Sequence, residues 1–421
     1  MQLKKKIFID RFIGRILVFL LIPIVKLLGY LMRFDHVVRP EKVRCIAVAK
    51  YFGLGSIIHT LPMLRALRNL YPSAKILFIT HVKNKPIFAH IDGIDEVYFV
   101  DDHNLWRLVV SNVNMFFSLI ANRIDLFFDL ELFSAYGAIV SLASMGRNRF
   151  GFFCNSDTDF KNYIYTHLMY FNFTMPIRVC YLQLARMAHV AADSSSDLVP
   201  LSIDQELLLD ARHQIQAILS GHVQQRRIAI NINASELSLE RRWPAERFVH
   251  VAQYFSQRGY TIIFVGSSEE RGYVQQVVEQ TEGEKSGIYN IAGCFSFSIF
   301  LAILKECDLL ITNDTGVMNM GYALLTPTLS LFGPCHPVQY HIDRANTHAI
   351  YGAIYCSPCI HHLYIPPCRG KQFCMLRIEV KQVIESAENI LEQKHIMTWK
   401  PADVPLMVEE SVPFGILRSH F

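Results

Sequence analysis

Residues 308–334, DLLITNDTGVMNMGYALLTPTLSLFGP, constrain the fold more than any other stretch of the sequence. An apolar run at 308–312 predicts a strand, and the polar residues 313–316 predict a tight turn. Helical composition follows over 317–325, and a second buried strand follows over 328–332. Such a strand–helix–strand unit directs the free N–H groups of a helix N-terminus toward the carboxyl edge of a parallel sheet. The stretch therefore predicts an anion site, with an ordinary capped turn as the simpler alternative.

Strand and helix patterns alternate along most of the chain, with short turns between them. This alternation predicts α/β architecture with mostly parallel, doubly wound sheets. With 421 residues the chain is too long for one ordinary core, and the pattern restarts near residue 227. We therefore expect two Rossmann-like domains facing a cleft, with 57–70 as one amphipathic helix. Residues 155–220 are expected to be largely helical and to contain the inter-domain connection at 193–204. The strand candidates are 45–49, 75–80, 96–100, 125–130, 149–153, 227–231, 260–265, 287–291, 308–312 and 328–332.

The first 44 residues differ in charge from the rest of the chain. They hold ten of the 41 Lys and Arg residues but only three of the 37 Asp and Glu residues. Within them, residues 16–32 form an apolar segment that Pro23 and Lys26 interrupt, and a spanning helix needs about 20 apolar residues. We expect a monotopic or peripheral anchor that binds an anionic membrane surface at the cytoplasmic face, rather than nucleic acid. A single membrane span and a helix packed on the protein body are the alternatives.

Four of the ten cysteines cluster near the end of the folded region, with prolines between them that indicate a loop. Four thiolates can form a closed tetrahedral zinc site, although the spacing here is irregular. Reduced structural thiols are the default in a reducing compartment, and disulfides are the third alternative. The clustered residues are Cys356, Cys359, Cys368 and Cys374.

Five sequence blocks occur in the order found in one known family. They are KYFGLGSIIHTLP at 50–62, DLFFDLELFSAY at 125–136, RRWP at 241–244, NDTGVMNMGYALLTPTLSLFGP at 313–334, and CSPC at 356–359 with a later Cys-Met pair at 374–375. Together they resemble glycosyltransferase family 9, the heptosyltransferases of lipopolysaccharide core assembly. The resemblance implies a GT-B fold, with an acceptor domain at 44–205 and a nucleotide-sugar domain at 206–395. A membrane-associating segment at 1–43 and a tail at 396–421 complete the predicted organisation.

The resemblance also implies a reaction. A sugar, with heptose from ADP-heptose as one candidate, is transferred with inversion to a lipopolysaccharide or other lipid-linked glycan, without a catalytic metal or other cofactor. A catalytically impaired relative that binds nucleotide sugar or glycan without transfer is the alternative. A Rossmann-type dehydrogenase is disfavoured because no strand is followed by G-x-G-x-x-G.

The donor diphosphate needs N–H dipoles and cations. Thr315, Gly316 and the helix behind them are expected to hold the phosphates, while Arg241 or Arg242 neutralises the leaving charge. Asp314 is expected to accept sugar hydroxyls or to hold the turn, with a plain helix cap as the alternative.

Three further residues complete the predicted donor site. Asn319 stands where the family usually has His, and it keeps hydrogen bonding but loses a titratable group. Glu269 and Glu270 follow a strand and are candidates for the nucleoside ribose. The alternative for these two is a solvated carboxylate in the first turn of a helix.

The catalytic base is the weak point of the resemblance. The glycine turn of Gly53 and Gly55 is present, but Ser56 replaces the family's Asp, and serine is not a general base at neutral pH without assistance. Glu131 is the first replacement candidate because it follows a predicted strand. His59 is the second, and Asp129 is expected to point into the sheet.

Overall fold

The computed structural model describes residues 10–154, 156–219, 226–234, 238–281, 287–360 and 366–392. Within them the chain divides into two compact units, an N-terminal unit that ends at Val199 and a C-terminal unit that begins at Pro200. The predicted tail at 396–421 and the first nine residues lie outside the described residues. The predicted domain limits at 43 and 205 stay predictions.

The N-terminal unit is a six-stranded parallel sheet in the order β3-β2-β1-β4-β5-β6, with helices on its faces. The central strands are apolar and buried on both faces, as parallel strands must be when helices cover the sheet. The elements are α1 (Arg15–Leu31), β1 (Cys45–Ala49), α2 (Leu54–Ile58), α3 (Leu61–Leu70), β2 (Lys75–His81), β3 (Glu96–Val100), α4 (Leu105–Asn122), β4 (Leu126–Asp129), α5 (Ala135–Ala143), β5 (Asn148–Phe153), β6 (His167–Tyr170) and α6 (Ile177–Arg186).

All five strands predicted in this unit are present, but two other expectations were wrong. The predicted helix at 57–70 is two helices, α2 and α3, and Pro62 stands in the first turn of the second. Proline favours a helix start and disfavours helical backbone in the residue before it. The region at 155–220 is not simply helical, since it contains β6.

The apolar segment at 16–32 is a helix, α1, which packs one side against α5. Val18 and Val25 are buried there with Ala138 and Leu142. The packing of this side of α1 therefore agrees with the alternative of a helix packed on the protein body. No helix within the described residues has both the length and the apolar character needed to cross a membrane.

The C-terminal unit repeats the plan in the order β12-β11-β10-β7-β8-β9, again all parallel. Its core lies between the sheet and the helices α8 and α13. The elements are α7 (Gln205–Leu219), β7 (Arg227–Asn231), α8 (Ala245–Ser256), β8 (Thr261–Phe264), α9 (Arg271–Glu279), β9 (Ile288–Asn290), α10 (Phe297–Lys305), β10 (Leu309–Asn313), α11 (Gly316–Leu324), β11 (Thr328–Phe332), β12 (Thr347–Tyr351), α12 (Phe373–Leu376) and α13 (Val380–Leu391).

The strands predicted in the second half are confirmed with ends shifted by a residue or two, and β12 is additional. The two predicted Rossmann-like, doubly wound units are thus both present. Because β7 and β10 are neighbours, the segments that follow them emerge side by side at the carboxyl edge of the sheet.

All ten cysteines are free thiols in the structure. No group of three or more His, Cys, Asp or Glu side chains in the described ranges could hold a metal ion, although these ranges include Cys356, Cys359, Cys368 and Cys374. The zinc alternative for this cluster is therefore not supported. Burial raises the pKa of Cys359 and of Cys374 to about 11, so both thiols are protonated at neutral pH.

Candidate functional site

The turn between β10 and α11 presents an open helix N-terminus at the carboxyl edge of the C-terminal sheet. Thr315 is the N-cap, with extended backbone, but its side chain makes no capping hydrogen bond to the helix. Its hydroxyl instead accepts a hydrogen bond from Asn231 at 2.9 Å. A Cβ at Gly316 would meet no atom within 4 Å. The first N–H groups of α11 are therefore available to an anion that approaches closely.

Asparagines from two neighbouring strands hold this turn in place. The amide of Asn313 donates to the carbonyl oxygens of Ile232 and Asn233 at 3.0 and 3.1 Å. Its oxygen accepts the backbone N–H of Trp243 at 3.0 Å. Sequence reasoning placed Asn313 in the turn but did not single out Asn231 and Asn233, which hydrogen-bond to it. Their signal was present, because each ends or follows a buried strand.

Arg241 lies beside Asp314 at this edge. Its guanidinium Nη1 is 3.4 Å from Oδ2 of Asp314, and the two side chains are 18% and 4% exposed. Burial would lower the pKa of Arg241, but the neighbouring Cys335 and Asp314 raise it above its ordinary value, so the group stays charged. Among the described residues, Nε of Arg241 and Oδ2 of Asp314 are buried without a hydrogen-bond partner. Buried polar atoms normally have partners, so this pair is suited to receive a polar ligand.

Arg242 has a similar character. Its guanidinium lies over the ring of Tyr273, 4.4 Å from the ring centre, and its buried Nε has no hydrogen-bond partner within the described ranges. The structure thus brings Arg241, Asp314, Thr315 and Gly316 together. The plain-cap alternative for Asp314 is not what the structure shows, since Thr315 occupies the cap position.

The three remaining donor candidates are held by local hydrogen bonds. Asn319 is buried and donates to the carbonyl oxygen of Thr315 at 2.9 Å, one turn back in α11. Glu270 accepts the N–H of Ser267 at 2.8 Å, and so closes the turn after β8. Glu269 is exposed and accepts from the Ser268 hydroxyl at 3.2 Å. Their predicted contacts with the nucleotide stay predictions.

The glycine turn follows β1 at the carboxyl edge of the N-terminal sheet. Gly53 is the N-cap of α2 with a φ of 83°, a backbone conformation that favours glycine. Gly55 is buried in α2, and Ser56 next to it is half-buried. The glycines thus shape the predicted turn, and the structure offers no carboxylate at position 56.

Glu131 holds this turn from the neighbouring strand. Its Oε1 accepts the backbone N–H groups of Tyr51 and Phe52 at 2.7 and 2.9 Å. Its Oε2 lies 2.9 Å from the Lys50 ammonium, and both side chains are 9% exposed. Both carboxylate oxygens are therefore engaged in holding residues 50–52. This geometry shows Glu131 positioning the turn, and its predicted role as the general base stays a prediction.

The two other candidates for the base are buried. His59 ends α2 and its side chain is inaccessible to solvent, and Asp129 is likewise inaccessible, as expected for a carboxylate that points into the fold. Asp129 accepts a hydrogen bond from the Tyr165 hydroxyl and lies 3.8 Å from the buried ammonium of Lys161. Lys161 also donates to the carbonyl oxygen of Glu131. Sequence reasoning missed Lys50 and Lys161, because only the fold brings them to this edge.

Comparison with known proteins agrees with this geometry. The family model described as "Glycosyltransferase family 9 (heptosyltransferase)" matches residues 135–367. Lipooligosaccharide heptosyltransferase 2 of Campylobacter jejuni is 27% identical over 158 residues, which cover 37% of this chain and 48% of that protein. Lipopolysaccharide heptosyltransferase 3 of Escherichia coli K12 is 22% identical over 352 residues, 80% of this chain and 96% of that protein.

A solved structure of a family 9 glycosyltransferase from Veillonella parvula covers 83% of this chain and 97% of its own, with a TM-score of 0.67 and 25% identity. The chain spans less than half the length of the first three curated relatives it matches, namely 48%, 30% and 30%. The family model, however, matches more than half of the chain and includes the β10–α11 turn. The chain therefore belongs to glycosyltransferase family 9.

Proposed function

We propose that the protein is an inverting, metal-independent glycosyltransferase that transfers a sugar from a nucleotide sugar to lipopolysaccharide or another cell-surface glycan. Heptose from ADP-heptose is the proposed donor, since the relatives are named heptosyltransferases. The observation that carries the proposal is the buried Arg241–Asp314 pair, with unpartnered polar atoms beside the uncapped N-terminus of α11.

The donor chemistry follows from this geometry. Departure of a nucleoside diphosphate leaves negative charge on the phosphate oxygens, and fixed donors stabilise that charge in the transition state. The first N–H groups of α11 and the guanidinium of Arg241 can supply such donors. Because a guanidinium stays charged and binds phosphate oxygens with a planar fork, it can take the part that a metal ion plays in other enzymes.

The acceptor chemistry needs a base that removes the hydroxyl proton while the anomeric carbon is attacked from the opposite face. Ser56 cannot be this base unaided, and the oxygens of Glu131 are engaged. This observation favours a second candidate function, in which the protein binds the nucleotide sugar or glycan but transfers it poorly or not at all.

We also propose that the enzyme acts at the cytoplasmic face of the plasma membrane, as a peripheral or monotopic protein. The side of α1 turned away from α5 supports this, because its large apolar residues are exposed. They include Phe19 at 77%, Leu27 at 60% and Tyr30 at 81%. An exposed apolar helix face with cations suits the interface of an anionic membrane.

The test is to incubate the full-length protein with ADP-heptose and a lipopolysaccharide acceptor that lacks heptose. The expected product is a heptosylated acceptor with inverted anomeric configuration by NMR, formed equally well in EDTA. Arg258→Gln is the matched control for Arg241→Gln, because Arg258 is an exposed arginine two residues after α8.

Binding and turnover separate the two candidate functions. A thermal shift with ADP-heptose but no transfer would favour the binding relative, and Ser56→Asp should then gain transfer by supplying the missing carboxylate. If the protein neither binds ADP-heptose nor transfers heptose from it, heptose is overturned as the proposed sugar. Failure with a panel of other nucleotide sugars as well would overturn the glycosyltransferase proposal.

A further inference from the structure

Helix α4 is apolar on two opposite sides. On one side Met115 and Leu119 are 2% and 0% exposed, and they pack against the sheet in one core with residues of β1, β2 and β4. On the other side six apolar side chains face solvent. They are Trp106 at 76%, Val109 at 46%, Val110 at 38%, Val113 at 44%, Phe117 at 72% and Ile120 at 55%.

The spacing of these six residues places them on one helix face. They recur at intervals of three and four residues over about four helical turns, which is the period of a single stripe. A surface helix of a water-soluble protein normally carries polar side chains on that face. A continuous exposed stripe that includes a tryptophan and a phenylalanine therefore indicates a surface that is covered by something else.

Two hydrogen-bonded contacts connect α4 to the N-terminal segment through the first turn of α5. Asp10, just before α1, accepts the N–H groups of Ala135 and Tyr136 at 3.1 and 2.7 Å. The Tyr136 hydroxyl donates to the side-chain oxygen of Asn112 in α4 at 2.5 Å. Both α4 and α1 share a hydrophobic cluster with α5, so α5 is a neighbour of both helices.

The charges of the two helices are of one sign. Neither α1 nor α4 contains an Asp or Glu. Helix α1 contains Arg15 and Lys26, and α4 contains Arg107, which lies 3.6 Å from Asp101 just before the helix. Exposed aromatic and aliphatic residues with cations among them match the interface of a bilayer that contains anionic lipid. Long basic side chains can reach the headgroups while their stems and the apolar residues enter the acyl boundary.

We propose that α4 and α1 together form a two-helix docking surface for an anionic lipid bilayer, with Trp106 and Phe117 as inserted side chains of α4. The inference rests on the proposed membrane association of α1 and adds a second element to it. Contact through two helices fixes the orientation of the protein on the bilayer. Contact through one helix would let the protein tilt about the axis of that helix. The bilayer then lies along the α4–α5–α1 face of the unit.

This orientation has a consequence for the substrate. Helix α4 begins after β3, at the carboxyl edge of the sheet, and the turn at Gly53 lies at the same edge after β1. Asp10 places the start of α1 at the first turn of α5, which follows β4 at this edge. A glycan attached to lipid in this bilayer would therefore meet the turn without leaving the membrane surface.

The test uses Trp106 itself as the reporter, in full-length protein that carries Trp399→Phe. Trp243, the remaining tryptophan, is fully buried. On vesicles of phosphatidylcholine with phosphatidylglycerol, we expect a blue-shifted emission and quenching by lipids brominated along the acyl chain. Trp106→Ser/Phe117→Ser, in otherwise unchanged protein, should weaken partitioning in a vesicle flotation assay by about tenfold or more.

Leu209→Ser is the matched control, since Leu209 is an exposed leucine on α7 of the C-terminal unit, 53% exposed. It should leave partitioning unchanged, and Phe19→Ser/Leu27→Ser in α1 should weaken it. Circular dichroism melting and transfer to a water-soluble acceptor should be the same for the α4 variant and the wild type.

Three results would overturn the inference. If the α4 variant partitions like the wild type and only the α1 variant is released, α4 is not part of the surface but the proposed membrane association stands. If the wild type ignores anionic vesicles, the membrane proposals for both helices fail, while the transferase assay with a soluble acceptor still decides the proposed activity. If the α4 variant abolishes a concentration-dependent dimer seen by light scattering instead, a second copy of the chain covers this face.

Discussion

The carboxyl edges of the two sheets carry charged side chains in different states. In the N-terminal unit, Lys50 is paired with Glu131 and Lys161 lies against Asp129, so these charges are paired within the fold. In the C-terminal unit, Arg241 and Asp314 are adjacent, but each has a buried polar atom without a hydrogen-bond partner in the described part of the chain.

The contrast separates structural charges from charges that can bind a ligand. A buried network with all its members paired rigidifies the backbone around it. A buried polar atom without a partner carries a desolvation cost that a ligand can relieve. The donor side of the proposed site is thus identified by buried atoms of an ion pair that lack hydrogen bonds, whereas the N-terminal edge shows a turn that is held in place.

The largest expected effect tests the carboxyl edge of the N-terminal sheet. Lys161→Met should destabilise the N-terminal unit by about 3–5 kcal/mol, because it leaves the buried Asp129 carboxylate without its cation. Burial raises the pKa of Asp129 and lowers that of Lys161, so neither group tolerates isolation as a charge. Urea unfolding measures the change, and Lys161→Met/Asp129→Asn should recover part of the loss. Equal stability of Lys161→Met and the wild type would mean that the pair is not structural.

The next effect tests the carboxyl edge of the C-terminal sheet. Arg241→Gln should lower kcat/KM for transfer by about 100- to 1,000-fold, as expected for loss of one donor to a developing anion. Its thermal stability without ligand should fall more than that of Arg258→Gln, because the nearly buried Asp314 carboxylate loses the guanidinium 3.4 Å away. Steady-state kinetics and a melting curve on the same preparations give both numbers. A variant with a lower melting temperature but an unchanged kcat/KM at a temperature where it is folded would make Arg241 a structural charge only.

A third prediction concerns pH and extends the comparison to the edge strand β6. Burial, with His36, Arg149 and His189 nearby, lowers the pKa of His167 to about 4 from its ordinary value of 6.5. Protons therefore bind the unfolded chain more readily than the folded one. The contribution of neutral His167 to the unfolding free energy is complete above pH 6.5 and falls as the pH drops toward 4. The loss should reach about 2–3 kcal/mol.

Urea unfolding at pH 7 and pH 5 checks this expectation. His167→Gln should flatten the dependence of the unfolding free energy on pH, whereas His213→Gln, at an exposed histidine, should not. An unchanged slope in His167→Gln would show that other groups cause the acid sensitivity.

The smallest expected effect is on Glu131. Glu131→Gln keeps an oxygen that can accept the N–H groups of Tyr51 and Phe52, so transfer should fall by less than about tenfold. A general base contributes roughly 100- to 10,000-fold, and its loss would also remove the acidic limb of the pH–rate profile. A loss of that size together with the limb would make Glu131 the base and remove the contrast between the two edges.

Most of the elements could be predicted from the sequence, since buried parallel strands are short apolar runs between turn residues. The exceptions are instructive. Strands β6 and β12 are short edge strands with half-exposed residues, so their burial pattern is weak. The break between α2 and α3 had a local signal in Pro62, which an amphipathic pattern across the whole segment concealed.

The donor turn was also predictable, because its Asp-Thr-Gly sequence between a strand and a helix is local. The burial and hydrogen bonding of the base candidates could not be predicted. His59 and Glu131 follow the pattern of residues at an active edge, but one is enclosed by packing and the other is bound by backbone N–H groups from β1's turn.

The sequence by itself therefore determined the two α/β units, the position of the turn between β10 and α11, and the apolar, basic N-terminal helix. These features depend on residues close together in the chain, through helix and strand periodicity and turn chemistry. Only the tertiary structure decided which charges are paired, as with Lys50 and Glu131, and which buried atoms lack a hydrogen bond, as with the Nε of Arg241. Those outcomes depend on burial and on contacts between residues far apart in sequence, and such contacts exist only after the chain has folded.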